Sequence, residues 1–229
     1  MKTITIAIDG FSSTGKSTVA KQLANKLKYI YVDTGAMYRA ITLFAMQHDL
    51  IGKEHLDKTA IIAALPSLNI SFKYNEKVGF AEVFLNDENV EKEIRTLQVS
   101  QFVSIISTIS EVRRKLVAQQ QEMGKSGGIV MDGRDIGTVV FPSAELKLFM
   151  IASAEKRGRR RYDELIERGD DVKLEEIVEN VLKRDHIDST REDSPLVKAD
   201  DAIEFDNSDM TLEEQFDQIY ALVEKAIGC

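Results

Sequence analysis

Eight consecutive residues, Gly10-Phe11-Ser12-Ser13-Thr14-Gly15-Lys16-Ser17, have the spacing G-x-x-x-x-G-K-[ST] and run on into Thr18. Two glycines let the backbone wrap a phosphate with several N–H groups pointing inward, and a helix starting here adds its positive end. In this pattern Lys16 reaches the β and γ phosphates and Ser17 offers a hydroxyl to Mg²⁺. The ligand called for is a nucleoside triphosphate. GTPases, ATPases and small-molecule kinases share the loop, and the absence of an N/T-K-x-D guanine-reading sequence weighs against the first of these.

Two carboxylates can organise Mg²⁺ through its retained waters: Asp9, just before the loop, and Asp132, which ends the apolar run Ile129-Val130-Met131. Arginines occur where phosphoryl transfer between two charged groups needs them. Arg39 and Arg134 each stand near a glycine at the end of an expected strand, and the basic run 156–161 holds Arg157, Arg159, Arg160 and Arg161. A guanidinium fork matches phosphate oxygens in pairs, which favours Arg over Lys here. His48, His55 and His186 have no mutual metal-ligand spacing and no neighbouring Ser or Cys nucleophile, so they read as ordinary polar residues.

These residues need a scaffold, and strand and helix patterns alternate to provide one. Ile4 to Ile8 reads as a buried strand, followed by the glycine turn and a helix over 16–26 with Val19, Leu23 and Leu27 at helical spacing. A second unit has a strand over 29–32, the turn Asp33-Thr34-Gly35, and a helix over 36–47. From 68 to 90 the pattern alternates. Leu68, Ile70 and Phe72 face one way, with Phe80, Val83 and Leu85 in the partner run and Asn75-Glu76-Lys77 as the hairpin loop. A helix over 111–123 after Ser110, strands at 129–131 and 146–151, a helix from Leu174 to about Arg184, a strand at 203–205 and a terminal helix opened by a Thr211/Glu214 capping box complete the chain. The pattern predicts an open parallel sheet flanked by helices, with loops gathered at the strand C-terminal ends and a small antiparallel insertion.

The chain of 229 residues suits one α/β domain with insertions, and 43% hydrophobic with 30% charged residues is ordinary globular composition. A net charge of −8 disfavours nucleic acid and anionic membrane as partners. The single cysteine, Cys229, has no disulfide or metal partner and suits a reducing compartment. With no apolar run long enough to span a membrane and no signal-like N-terminus, a cytoplasmic monomer is expected.

Asp33-Thr34-Gly35-Ala36-Met37-Tyr38-Arg39 and Asp132-Gly133-Arg134-Asp135-Ile136-Gly137-Thr138-Val139-Val140-Phe141-Pro142, taken with the phosphate loop and their order, resemble the bacterial-type cytidylate kinases of the nucleoside-monophosphate kinase fold. Glu93-Ile94-Arg95-Thr96, Val112-Arg113 and the segment from Arg184 to Arg191 extend the resemblance over nearly the whole chain. It implies one kinase domain over 1–229, with an acceptor-binding insertion at about 63–96 and a short mobile lid at about 154–170. It further implies in-line transfer of the γ-phosphoryl of ATP to CMP or dCMP with Mg²⁺.

In the family pattern Arg39 and Arg134 grip the acceptor phosphate, Arg191 lies near both phosphate groups, and Arg157 and Arg161 close over ATP. Thr34, where many relatives carry serine, keeps a hydroxyl beside the acceptor. Arg184 and Asp188 fall near the ribose, and Ser104, Arg113 and Asp135 at the base. Phe11 departs from the proline usual after the first loop glycine. A P-loop kinase of another small acceptor and a non-catalytic ATP-binding module are the competing readings. The segments 33–39 and 132–135 weigh against the first, and the retention of Lys16, Ser17, Asp132 and the arginine set against the second.

Overall fold

The structure, a computed structural model, describes residues 3–228; Cys229, read above as a free thiol, lies outside them. The chain forms two compact units, one of residues 3–31 with 124–228 and the other Val32–Met123.

The larger unit is built on a five-stranded sheet. In chain order it holds β1 (Thr5–Gly10), α1 (Lys16–Leu27), the start of β2 (Ile30–Asp33), then β6 (Ile129–Gly133), β7 (Leu146–Ile151), α6 (Ala154–Glu167), α7 (Leu174–Thr190), β8 (Ile203–Asp206) and α8 (Leu212–Ile227). The strand order is β2-β6-β1-β7-β8. β1 runs parallel to both β6 and β7, and β7 parallel to β8. A central parallel strand is covered on both faces, which explains why Ile6, Ala7 and Ile8 in succession are fully buried. Ile6 and Ile8 share a core with Val19 and Leu23 of α1 and with Ile219 and Val223 of α8. The helical spacing of Val19 and Leu23 read from the sequence therefore marks the face that packs on the sheet.

β1 ends at Gly10, which pairs with Met150 of β7 and has φ +141°. A Cβ here would stand 2.0 Å from the Met150 carbonyl oxygen, a backbone atom with no room to retreat. Gly10→Ala is expected to cost about 3 kcal/mol or more, combining overpacking with a backbone conformation that side chains disfavour. Chemical denaturation would measure it, and a loss below about 1 kcal/mol would show that the strand end can shift aside.

The smaller unit contains α2 (Thr34–Gln47), α3 (Lys58–Ala64), a second sheet of β3 (Ile70–Asn75), β4 (Phe80–Leu85) and β5 (Glu88–Asn89), then α4 (Leu97–Ile106) and α5 (Ser110–Gly124). The expected hairpin is present, with Ile70 opposite Leu85 and Phe72 opposite Val83. Phe80 lies in the partner run as expected. It pairs with Asn75, so it lies on the face opposite Val83 and Leu85, as an odd spacing from Val83 dictates. The loop is also longer than Asn75-Glu76-Lys77: the Val78 and Gly79 amides both return to the Asn75 carbonyl, and Gly79 turns the chain at φ +74°.

Three helices, α3, α4 and α6, went unread, the last lying where only a basic lid segment was expected. α3 has seven residues capped by Asp57, too short for periodicity to register. α4 is rich in Val and Ile and reads locally as a strand, yet Thr96 caps it and Val99, Val103 and Ile106 bury one helical face. α2 begins earlier than expected, at Thr34, because the Asp33 carboxylate accepts from the Ala36 amide as an N-cap. α7 runs through Thr190, so Arg184 and Asp188, four apart, lie on one buried helical face rather than beyond the helix end.

Candidate active site

The phosphate loop crosses from β1 to α1 with Ser13 at φ +59° and Gly15 at φ +87°. Gly15 is the N-cap of α1 and supplies no side-chain cap, in contrast to the caps of α2, α4, α6 and α8. Three loop carbonyls are fixed by buried side chains. Lys16 Nζ donates to the Phe11 oxygen at 2.5 Å, Arg157 Nη1 to the Ser12 oxygen at 3.2 Å, and Asn207 Nδ2 to the Thr14 oxygen at 2.6 Å. In a trans peptide the N–H points opposite the C=O, so fixing these oxygens directs the amides of Ser12, Ser13 and Gly15 to the other side. Lys16 Nζ also donates to Thr14 Oγ1 at 3.2 Å. Its side chain is buried, and that burial together with the charge of Arg134 holds its pKa well below the ordinary lysine range, against the pull of Asp132, Asp9 and Asp188. Thr18, expected at the cofactor, has an exposed side chain and donates its amide to the Gly15 carbonyl.

At the first turn of α1, Ser17 Oγ donates to Asp132 Oδ2 at 2.9 Å, and the Tyr31 hydroxyl donates to Asp132 Oδ1 at 2.8 Å. A hydroxyl and a carboxylate side by side are hard oxygen donors of the kind Mg²⁺ takes, so Ser17 and Asp132 fit that ion. Tyr31, unread in the sequence, orients the carboxylate. Asp9 is buried at the end of β1. Its oxygens accept the Ile136 and Gly137 amides at 2.8 and 2.7 Å, pinning the turn after β6, the turn-capping role such a carboxylate also suits. Burial pushes Asp9 up to about 6 despite those two donors, with Asp135 adding to the rise.

The same unit holds a cluster of arginines around the buried Asp188. Arg134 Nε donates to Asp188 Oδ2 at 2.9 Å, and Arg191 Nη1 stands 3.9 Å from Asp188 Oδ1. Burial alone would raise Asp188, but Arg134, Arg184 and Arg191 hold it below the usual carboxylate range. Arg184 is pushed down to about 10 by burial and by Arg134, and its Nε has no hydrogen-bond partner among the described residues. Three guanidiniums around one carboxylate leave an excess of positive charge, which favours an anion.

The helix α6 spans the region expected as the lid. Arg157 is buried, donating from Nε to the Ala152 carbonyl and from Nη1 and Nη2 to Asp185 at 3.0 and 2.6 Å. Its guanidinium also lies 5.2 Å from the ring centre of Phe11. These contacts tie Arg157 to the loop backbone, where the resemblance implied phosphate oxygens. Arg161 pairs with Glu164 at 3.0 Å. Arg160, which the sequence left undecided, donates to Asn207 through two nitrogens.

The smaller unit holds Thr34, Arg39, Ser104 and Arg113. Asp33 binds Arg95 at 2.7 Å; burial opposes its ionisation, but Arg95 and Arg39 lower it to about 2. Arg95 in turn pairs with Glu91 at 2.8 Å. Arg113 is almost fully buried, donates to the Ser107 carbonyl at 3.2 Å and lies 5.6 Å from the ring centre of Tyr38. Ser104 is buried on α4. The structure thus brings together the loop, Asp9, Asp132, Arg134, Asp135, Arg157, Arg161, Arg184, Asp188 and Arg191 in one unit, and the remaining four expected residues in the other.

A phosphate loop between the central strand of a parallel sheet and its helix, a Ser–Asp pair at its end and an arginine cluster in the same unit define a P-loop phosphotransferase. A family model described as cytidylate kinase matches residues 6–225. The cytidylate kinase of Flavobacterium johnsoniae is 63% identical over 227 residues, covering 99% of each chain. That of Parabacteroides distasonis is 57% identical over 228 residues, covering 100% of each. The crystal structure of an uncharacterized protein from Eubacterium ventriosum aligns with a TM-score of 0.51 at 12% identity, covering 98% of this chain and 99% of that one, a likeness of fold alone. The chain belongs to the cytidylate kinase family, and with it to the ATP-dependent nucleoside monophosphate kinases. No helix among the described residues is long and apolar enough to cross a membrane.

Proposed function

We propose that the chain transfers the γ-phosphoryl of ATP to CMP or dCMP, and that its two units act as one kinase domain. The observation that carries the reading is the Ser17 hydroxyl donating to Asp132 at 2.9 Å where the phosphate loop meets its helix, together with Arg134 donating to Asp188 at 2.9 Å in the same unit. A buried loop lysine and a second, partly buried cation support the handling of two phosphate groups. ATP binds with its phosphates in the loop amides. Lys16 neutralises charge developing between the β and γ positions, while Arg134 and Arg191, anchored on Asp188, stabilise the transferring group. Ser17 and, through water, Asp132 would hold Mg²⁺, which would supply positive charge to the triphosphate. Thr34 and Arg39 take the acceptor phosphate, and Arg184 with Asp188 the sugar.

For the base we assign Asp135 to accept from the cytosine N4 amino group, and Arg113 and Ser104 to the N3 and O2 edge. Uracil presents O4 to the carboxylate and N3–H to the guanidinium, leaving two polar groups mismatched. Each mismatch costs roughly 1–3 kcal/mol, so kcat/KM for CMP is expected to exceed that for UMP by about one to four orders of magnitude. A coupled phosphoryl-transfer assay across CMP, dCMP, UMP, AMP and GMP measures this. Comparable turnover of all five would remove the base assignment, and ATP turnover independent of any monophosphate would remove the acceptor.

A further inference from the structure

Asn207 follows β8 directly and is fully buried. Its amide nitrogen continues the sheet by donating to the Ile151 carbonyl at 3.1 Å. The side chain faces the back of the phosphate loop. Nδ2 donates to the Thr14 oxygen at 2.6 Å and also to Oε1 of Gln215 on α8. Oδ1 accepts from Arg160 Nη1 at 3.1 Å, and the Asn207 carbonyl accepts from Arg160 Nη2 at 2.7 Å. The amide orientation is fixed by chemistry, since a guanidinium can only donate and a carbonyl can only accept. Aspartate could not donate to Thr14, and leucine could do neither. Gln215 is held as an acceptor, and its Nε2 has no hydrogen-bond partner among the described residues. The network therefore runs in one direction, from Arg160 on α6 through Asn207 to the loop.

What Asn207 holds is the peptide between Thr14 and Gly15. With the Thr14 oxygen drawn backward, the Gly15 N–H must face forward, into the concavity where the loop takes phosphate. Gly15 cannot settle the matter alone. At φ +87° with no side chain it is the most permissive residue of the loop, and a Cβ on it would point toward Asn207 Nδ2 and Gln215 at 3.7 Å. We propose that Asn207 is a positioning residue for the triphosphate, fixing the Thr14–Gly15 peptide with its amide toward the phosphates, and that Arg160 holds Asn207 in that orientation. The proposal rests on ATP occupying the phosphate loop.

The test is equilibrium ATP binding without acceptor, with steady-state KM for ATP and CMP and thermal unfolding measured alongside. Asn207→Asp keeps the size and the acceptor for Arg160 but removes the donor; Asn207→Ser is neutral and too short to reach Thr14. Either is expected to weaken ATP binding about tenfold, the loss of one buried hydrogen bond and its ordered amide. KM for CMP should stay within about twofold, a split that a merely structural residue would not produce. A folded variant that binds ATP like wild type overturns the proposal, as does an equal loss toward ATP and CMP. Failure of both variants to fold overturns it too, making Asn207 a structural residue. If wild type itself does not bind ATP, the loop assignment fails and the proposal falls with it, an outcome distinct from loss in the variants alone.

Discussion

Lys16→Ala is expected to lower kcat by about 10²- to 10³-fold, the usual cost of removing one preorganised charge from a developing transition state. The loss should sit in kcat more than in the KM for CMP, because the ammonium acts where charge builds between the β and γ phosphates. Stability should not follow activity downward. A lysine whose folded pKa lies below its unfolded value is disfavoured as a cation in the fold, so at neutral pH its charge is a cost that fades only as pH rises toward the unfolded value. Burial and the neighbouring Arg134 are the causes, and alanine removes both. Its hydrogen bonds to the Phe11 carbonyl and Thr14 hydroxyl are lost, but the Ser12 and Thr14 carbonyls keep Arg157 and Asn207. Steady-state kinetics beside a melting curve checks both halves. A well-folded variant with near-native kcat would show that the loop lysine does not touch the reacting phosphates.

The loop was legible because its chemistry is local: eight residues fix both the backbone turn and the ligand. The parallel sheet was legible for a related reason, since Ile6, Ala7, Ile8 and Ile129, Val130, Met131 are continuous apolar runs that only a strand covered on both faces can use. Long-range partners were not. Nothing in the sequence around Asn207 or Tyr31 announces a ligand-site role, because each gains it from a residue more than a hundred positions away. The contacts of Arg157 with Asp185 and with the Ser12 carbonyl were likewise invisible, since its own segment shows only a basic run. α4 was missed because Val99, Val103 and Ile106 have strand propensity, and packing on one face outweighs propensity.

Asp188→Ala should have the largest effect on the fold, because three guanidiniums share this one buried carboxylate. Arg134 binds it directly, Arg191 stands at 3.9 Å, and Arg184 adds its charge. Without it the three are left as like charges out of water, and breaking a buried pair from one side costs about 3–5 kcal/mol. For a chain of this size the melting temperature should drop on the order of 10 °C. The pH dependence has a definite sign. The folded pKa of Asp188 is depressed, so its contribution is present above the unfolded carboxylate value and is lost as pH falls through the folded one. Wild type should therefore lose its advantage over the variant on acidification, and Asp188→Asn, which keeps the shape without the charge, should fall between them. Inorganic phosphate or CMP should restore more stability to the variant than to wild type, since a bound anion replaces the missing one. The sugar supplies the second readout. Arg184 lies under the field of the same carboxylate, so its loss disturbs any contact with the ribose, and kcat/KM should fall unequally for CMP and dCMP. Equal losses on the two acceptors, together with the predicted fall in melting temperature, would confine Asp188 to balancing the arginines and take it away from the sugar.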